Sequence, residues 1–236
     1  MAEADVTSVE QKLGARGRLL LRAVEPRLRR RLLDVLLEPD EPRKLTYAEF
    51  LDWIDEDTHA EWVDGEVVMT SPASDEHQDI ADFLTTLLRI FVHHHGLGWV
   101  RSAPFQMKTG PGLPGREPDI VFLTSAHAGR LTPTYIDGPA DLAVEIVSPE
   151  SASRDRGEKP VEYAQGGVAE YWLIDPLRRW ADFYRLEGDR YAAIFAGSEG
   201  EFQSRVLPGF RLRVEWLWRR PKPSEVDVLR DLGVLR

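Results

Sequence analysis

Asp141-Leu142-Ala143-Val144-Glu145-Ile146-Val147-Ser148-Pro149 is the stretch on which the reading of this chain turns. Between Leu142 and Val147 every residue is apolar except one glutamate. A short, nearly all-apolar run fits a strand buried on both faces. An ionised Glu145 inside such a run is costly without a partner. A metal ion would satisfy it, and so would an arginine or lysine. Pro118-Asp119-Ile120-Val121-Phe122 has the same character, with a carboxylate at the start of an apolar strand. Two such acids on neighbouring strands can share one magnesium ion, which prefers carboxylate oxygens and keeps waters, one of which can act as a nucleophile.

Downstream of Glu145, residues 155–165 read as a helix that Gly166-Gly167 terminates. Pro160 fits only a first turn, so the helix is expected to start near Glu158 with Lys159 in that turn. Lys159 is the cation that would assist a metal-water nucleophile, and Tyr163 follows four residues later on the same face. Glu170 to Ile174 is a further strand, and 180–184 with 191–196 form a hairpin around Gly188-Asp189. Upstream, Ser74 to His95 carries Ile80, Phe83, Leu84, Leu87, Leu88, Ile90 and Phe91 on one broad apolar helical face. Gly98 to Met107 reads as a β segment. Asp64-Gly65 marks a hairpin after Glu61, and Thr46 with Glu49 forms a capping box. This order predicts an α/β fold, a mixed central sheet flanked by helices.

The chain has 236 residues, 42% hydrophobic and 30% charged, which is the composition of an ordinary globular domain with an extension. It has no cysteine, which excludes disulfides, thiolate zinc sites and a cysteine nucleophile. No apolar run reaches the roughly 20 residues of a spanning helix. The acidic, polar start does not resemble a secretory signal, so no membrane partner and a cytoplasmic location are expected. A formal net charge of -10 argues against a general nucleic-acid coat protein, yet a carboxylate-rich site is compatible with a nuclease.

Residues 1–43 are expected to form a basic helical extension and linker, with seven arginines and one glutamate between Arg16 and Arg31 and a break at Pro26. It reads either as a basic arm for DNA or a partner, or as a solvated amphipathic helix. The main domain is expected over 44–220 and a C-terminal tail over 221–236. His93-His94-His95 do not share a ligand face on a helix and suit its C-terminus instead. Gly110 to Gly115 lacks the lysine-serine of a phosphate loop.

From about Leu45 to Trp216 the chain resembles the Uma-two family of restriction-endonuclease-like proteins, in the PD-(D/E)XK nuclease superfamily. The matching pieces are 45–50, Glu61-Trp62-Val63-Asp64-Gly65-Glu66, Ser71-Pro72 with His77-Gln78, Pro118-Asp119-Ile120, 145–149, Asp155-Arg156-Gly157-Glu158-Lys159, 167–176 and 207–210. Their order and spacing together carry the resemblance. It implies a restriction-endonuclease-like core and a magnesium-dependent endonuclease hydrolysing DNA, with manganese as a substitute ion. It makes Asp119 and Glu145 the motif acids and Lys159 the motif lysine, supplied from a helix. The usual lysine position, two residues after the acid, is Val147 here.

Glu61 reads as a third carboxylate of the site or as a hairpin surface acid paired with an arginine. His77 reads as a phosphate or water contact or as a cap of the long helix. Arg154 and Arg156 are candidate phosphate contacts, with Tyr163 beside them. The expected reaction is phosphodiester hydrolysis, in a homodimer if both strands of a duplex are cut. The competing readings are a catalytically inactive nuclease-fold binding or regulatory protein, and a hydrolase of another phosphoester.

Overall fold

The structure, a computed structural model, describes residues 44–55, 58–69 and 73–235. The basic extension expected over 1–43 and the Ser71-Pro72 motif lie outside the described residues. The described residues begin with helix α1 (Tyr47–Trp53). A hairpin follows, β1 (Ala60–Val63) and β2 (Glu66–Met69). Asp64 and Gly65 turn it with φ of 50° and 90°, the left-handed pair that matches strand twist in a two-residue loop.

The long helix α2 (Asp75–His95) is capped as its sequence demands. The Ser74 hydroxyl accepts from the His77 amide, and Gly96 closes the far end at φ 63°. The three histidines fall in its last turn. The rest of the chain comprises β3 (Gly98–Ser102), β4 (Gln106–Lys108), β5 (Gly115–Arg116), β6 (Ile120–Thr124), β7 (Tyr135–Asp137), β8 (Leu142–Ile146), α3 (Ala152–Arg156), α4 (Glu158–Gly166), β9 (Glu170–Asp175), β10 (Trp180–Glu187), β11 (Arg190–Gly197), β12 (Glu201–Gln203), β13 (Arg211–Arg213) and α5 (Glu225–Asp231).

Six strands form the main sheet in the order β11-β10-β9-β8-β6-β3, and five form a second in the order β2-β1-β5-β4-β7. In the main sheet β8 and β9 are parallel and the other pairs antiparallel. The result is the expected mixed α/β fold with helices against the sheet.

Strand alternation sorts the side chains onto two faces. Ile120, Phe122, Leu142, Val144 and Trp172 pack in one core with the α2 residues Phe83, Leu84, Leu87 and Leu88. Val121, Ala143, Tyr171 and Leu173 pack in the other with Tyr163 and Val168. Each fully buried leucine or phenylalanine contributes roughly 1.5–3 kcal/mol, so α2 is held chiefly by packing. Glu145 shares the register of Ala143 and therefore faces α4, the helix that carries Lys159.

Two sequence expectations need correction. Gly98 to Met107 is not one β segment: β3 belongs to the main sheet and β4 to the second. Pro104 interrupts it because proline cannot donate to a ladder. The segment expected as a helix over 155–165 is two helices, α3 and α4, broken at Gly157 (φ -115°, ψ -71°), and the second starts at Glu158 as expected from Pro160. Within residues 221–236, helix α5 buries Val228 and Leu229 in the larger core.

Candidate active site

Glu145, one residue before the end of strand β8, is a buried carboxylate facing α4. Lys159 Nζ donates to its Oε2 at 2.8 Å, and the Tyr163 hydroxyl donates to its Oε1 at 2.6 Å. The spacing of four residues on α4 brings both groups to one carboxylate. Lys159 is itself buried and lies 3.1 Å from Glu61 Oε1 and 3.0 Å from Asp155 Oδ1. Burial disfavours a charged lysine, but Glu145, Glu61 and Asp155 outweigh it and hold Lys159 well above the ordinary lysine value. Burial raises Glu145 well above the usual carboxylate range; Lys159 opposes this, and the charges of Asp155, Asp119 and Glu61 reinforce it. Despite the short approach to Lys159, neither Asp155 oxygen accepts a hydrogen bond among the described residues. Asp155 is completely buried, so Lys159 is the charge that makes its burial tolerable.

Glu61, on β1, is not a surface acid. It is 1% exposed, and both oxygens are engaged: Oε2 accepts from Arg116 Nη1 at 2.9 Å while Oε1 faces Lys159. Arg116 and Lys159 more than offset the effect of burial and lower its pKa. Arg116 is fully buried and forks onto Glu162, with Nε and Nη2 donating at 2.8 and 2.7 Å. Such planar two-point recognition is specific to arginine. Arg116, Asp155 and Glu162 were not singled out from sequence. The Asp155-x-x-x-Lys159 spacing was the one available signal, since Arg116 sits in a two-residue strand with no pattern around it.

Asp119 precedes β6. Its Oδ2 accepts from the Ile146 amide at 2.6 Å, which ties it to the end of β8. Its Oδ1 lies 3.2 Å from His77 Nε2. Burial works against a charged His77, but the hydrogen bond and charge of Asp119 prevail and raise its pKa. His77 therefore faces the site with its ring, while its backbone amide takes part in the helix cap.

A cavity of about 700 Å³ is lined by Asp119, Glu145, Lys159, Glu61, His77 and Arg154, among others. Arg154 Nε is buried with no hydrogen-bond partner among the described residues. Arg156 points elsewhere and pairs with Asp175. Tyr163 is completely buried behind Glu145, so it acts on the site through that carboxylate and does not line the cavity.

Magnesium commonly takes one or two carboxylates and completes its shell with water and substrate phosphate. Asp119 and Glu145 are donors of this kind on one cavity wall, and Ile146 lines the cavity beside them. The donor chemistry therefore fits such an ion. Among the described residues no group of three or more His, Asp or Glu side chains is arranged to cage one.

Residues 47–215 match the Uma2 family, described as "Putative restriction endonuclease". The chain belongs to the Uma2 family. A crystal structure of a "putative nuclease" from Anabaena variabilis shares the fold with this Uma2 chain at a TM-score of 0.62 and 17% identity. The match covers 74% of the Uma2 chain and 97% of that one. No curated protein matches it. Among the described residues of this Uma2 protein, no helix is long and apolar enough to cross a membrane.

Proposed function

We propose that the protein is a magnesium-dependent endonuclease of the PD-(D/E)XK superfamily that hydrolyses phosphodiester bonds of DNA. The observation that supports this best is the 2.8 Å contact of Lys159 Nζ with Glu145 Oε2, on the wall of a cavity that Asp119 also lines. In this reading residues 44–220 are the catalytic unit and residues 1–43 an appendage. Asp119 and Glu145 would hold the ion, with Ile146 beside them. When bound, magnesium supplies a Lewis acid that polarises the phosphoryl group and makes water more acidic.

The rest of the chemistry belongs to the chain. Tyr163 and the Ile146 amide orient Glu145 and Asp119 respectively. Lys159 keeps its proton and offers a fixed positive charge to the negative charge that develops on phosphorus oxygens in the transition state. Glu61 and Asp155 retain Lys159 in place when Glu145 turns to the ion. Arg154, which lines the cavity, binds a phosphate. A homodimer would place two such sites on a duplex.

The test is incubation of plasmid DNA with the protein and magnesium, beside Asp119→Ala and Lys159→Ala. Nicking by wild type alone is the expected result. Equal nicking by wild type and Asp119→Ala refutes the assignment.

One observation favours a second reading, a nuclease-fold binding protein without activity: Glu61, Glu145 and Lys159 satisfy one another while buried. Calorimetric titration separates the two. Heat at millimolar magnesium, lost in Asp119→Ala, supports the hydrolase, and no heat with DNA present supports the binding protein.

A further inference from the structure

The connection between β9 and β10 is an exposed turn of unusual chemistry. Leu177, Arg178, Arg179 and Trp180 are all exposed, Trp180 by 43%. Arg179 sits at φ 48°, a left-handed conformation that glycine or asparagine adopts far more readily. Trp180 does not swing freely, because its indole nitrogen donates to Asp182 Oδ1 at 3.0 Å. The ring that this bond anchors is nearly half exposed.

The turn is also locally basic. Asp175 accepts from the Arg178 amide at 3.0 Å, lies 3.6 Å from Arg178 Nε and pairs with Arg156. Arg156 and Arg178 share this carboxylate and Arg179 adds a third positive charge; against Asp175 and Asp182 the turn keeps an excess of one, in a chain whose formal net charge is -10. The turn lies beside the candidate active site. Ile146, on the cavity wall, is the register partner of Ile174, the residue before Asp175.

We propose that this turn is a nucleic-acid contact outside the cavity, where Arg178 and Arg179 bind phosphates and Trp180 stacks under an unpaired base of the same strand. The inference rests on reading the cavity as the hydrolytic site. One observation points to nucleic acid and a second selects a single strand as the occupant. Excess positive charge complements phosphate, and an anchored, nearly half-exposed aromatic ring stacks on any base that is not already paired.

The test is fluorescence anisotropy of a labelled oligothymidylate of about 20 nucleotides and of a duplex of the same length. EDTA is present so that cleavage does not enter. The proteins are wild type, Trp180→Ala and the double variant Arg178→Ala with Arg179→Gly, the glycine preserving the left-handed turn. The altered side chains are all exposed, and a thermal melt verifies that each variant folds as wild type.

Trp180→Ala is expected to weaken oligothymidylate binding by roughly tenfold while affecting the duplex less. The double variant is expected to weaken both. It should also flatten the dependence of log affinity on log salt by about 1.4 for the single strand, about 0.7 for each phosphate that is no longer neutralised. Variants that bind oligothymidylate as wild type does overturn the proposal, as does a wild type that fails to bind it at low salt. Because no metal is present, binding can be lost while cleavage chemistry stands, or retained while the Asp119→Ala comparison defeats the hydrolase reading.

Discussion

Lys159 and Glu61 come from α4 and β1, elements far apart in the chain, yet Nζ and Oε1 stand 3.1 Å apart with both side chains at most 5% exposed. Glu61 also binds Arg116, so a single carboxylate joins the two buried cations. Arg116 in turn extends the network to Glu162. The site is therefore one connected set of charges, in which removal of Lys159 leaves Glu145 and Asp155 without the cation they face.

Lys159→Ala removes the only positive charge beside Glu145 and Asp155 within hydrogen-bond or ion-pair distance among the described residues. Breaking a buried pair from one side costs about 3–5 kcal/mol. Urea denaturation near neutral pH should show a loss of that size. A loss below about 1 kcal/mol would mean that the network is not charged as described.

Arg116→Lys keeps the charge but cannot reproduce the two-point fork onto Glu162 or reach Glu61 at the same time. A hydrogen bond to a charged group is worth about 1.5–3 kcal/mol, and the substitution should cost at least one of them. Arg116→Ala should cost more, because Glu61 and Glu162 then both lose a buried partner. Equal midpoints for wild type and Arg116→Lys in urea would argue against the fork.

His77 carries a raised pKa because Asp119 stands beside it. Its contribution to stability is thus fully present below the unfolded value of about 6.5 and is lost as pH rises through the higher folded value. Titration of the ring by NMR should give a midpoint above the model-peptide value in wild type. In Asp119→Asn that midpoint should fall, and the stability difference between mildly acidic and mildly alkaline pH should shrink. A wild-type midpoint at or below the ordinary histidine value would contradict the contact.

Gly98 begins β3 with φ 152°, and a Cβ there would meet the Leu123 carbonyl oxygen at 2.0 Å. The obstacle is backbone of the paired strand β6, which cannot rotate away as a side chain can. Gly98→Ala should destabilise the protein by about 1–3 kcal/mol, the usual range for overpacking. By contrast, a Cβ at Gly129 meets nothing within 4 Å, so Gly129→Ala should leave the thermal midpoint almost unchanged.

Much of the architecture was legible because local patterns matched the final environment. The apolar run around Glu145 became a central strand, the Ser74 cap and the Gly96 stop bounded the long helix, and Asp64-Gly65 made its turn. Legibility failed where a glycine or proline broke a segment whose residue pattern otherwise read as continuous. Gly157 divides two helices that read as one, and the strand divided at Pro104 contributes to two sheets. Of the residues proposed for the site, Asp119, Glu145, Lys159, Glu61, His77 and Arg154 are brought to one cavity, whereas Arg156 pairs with Asp175 and Tyr163 lies behind Glu145.

By itself the sequence determined which segments had to be buried and which charged groups would be costly there, because hydrophobic periodicity and the expense of an ionised side chain in an apolar run are local properties. The tertiary structure alone decided how that expense is met. Arg116 carries no distinguishing neighbours in the chain and Asp155 only its four-residue spacing to Lys159, and packing β1, β5, β8, α3 and α4 together brings these charges within 3.1 Å of Glu61 and Lys159. Charge compensation in an interior depends on distance through space, which spacing along the chain encodes only within a single helix or strand.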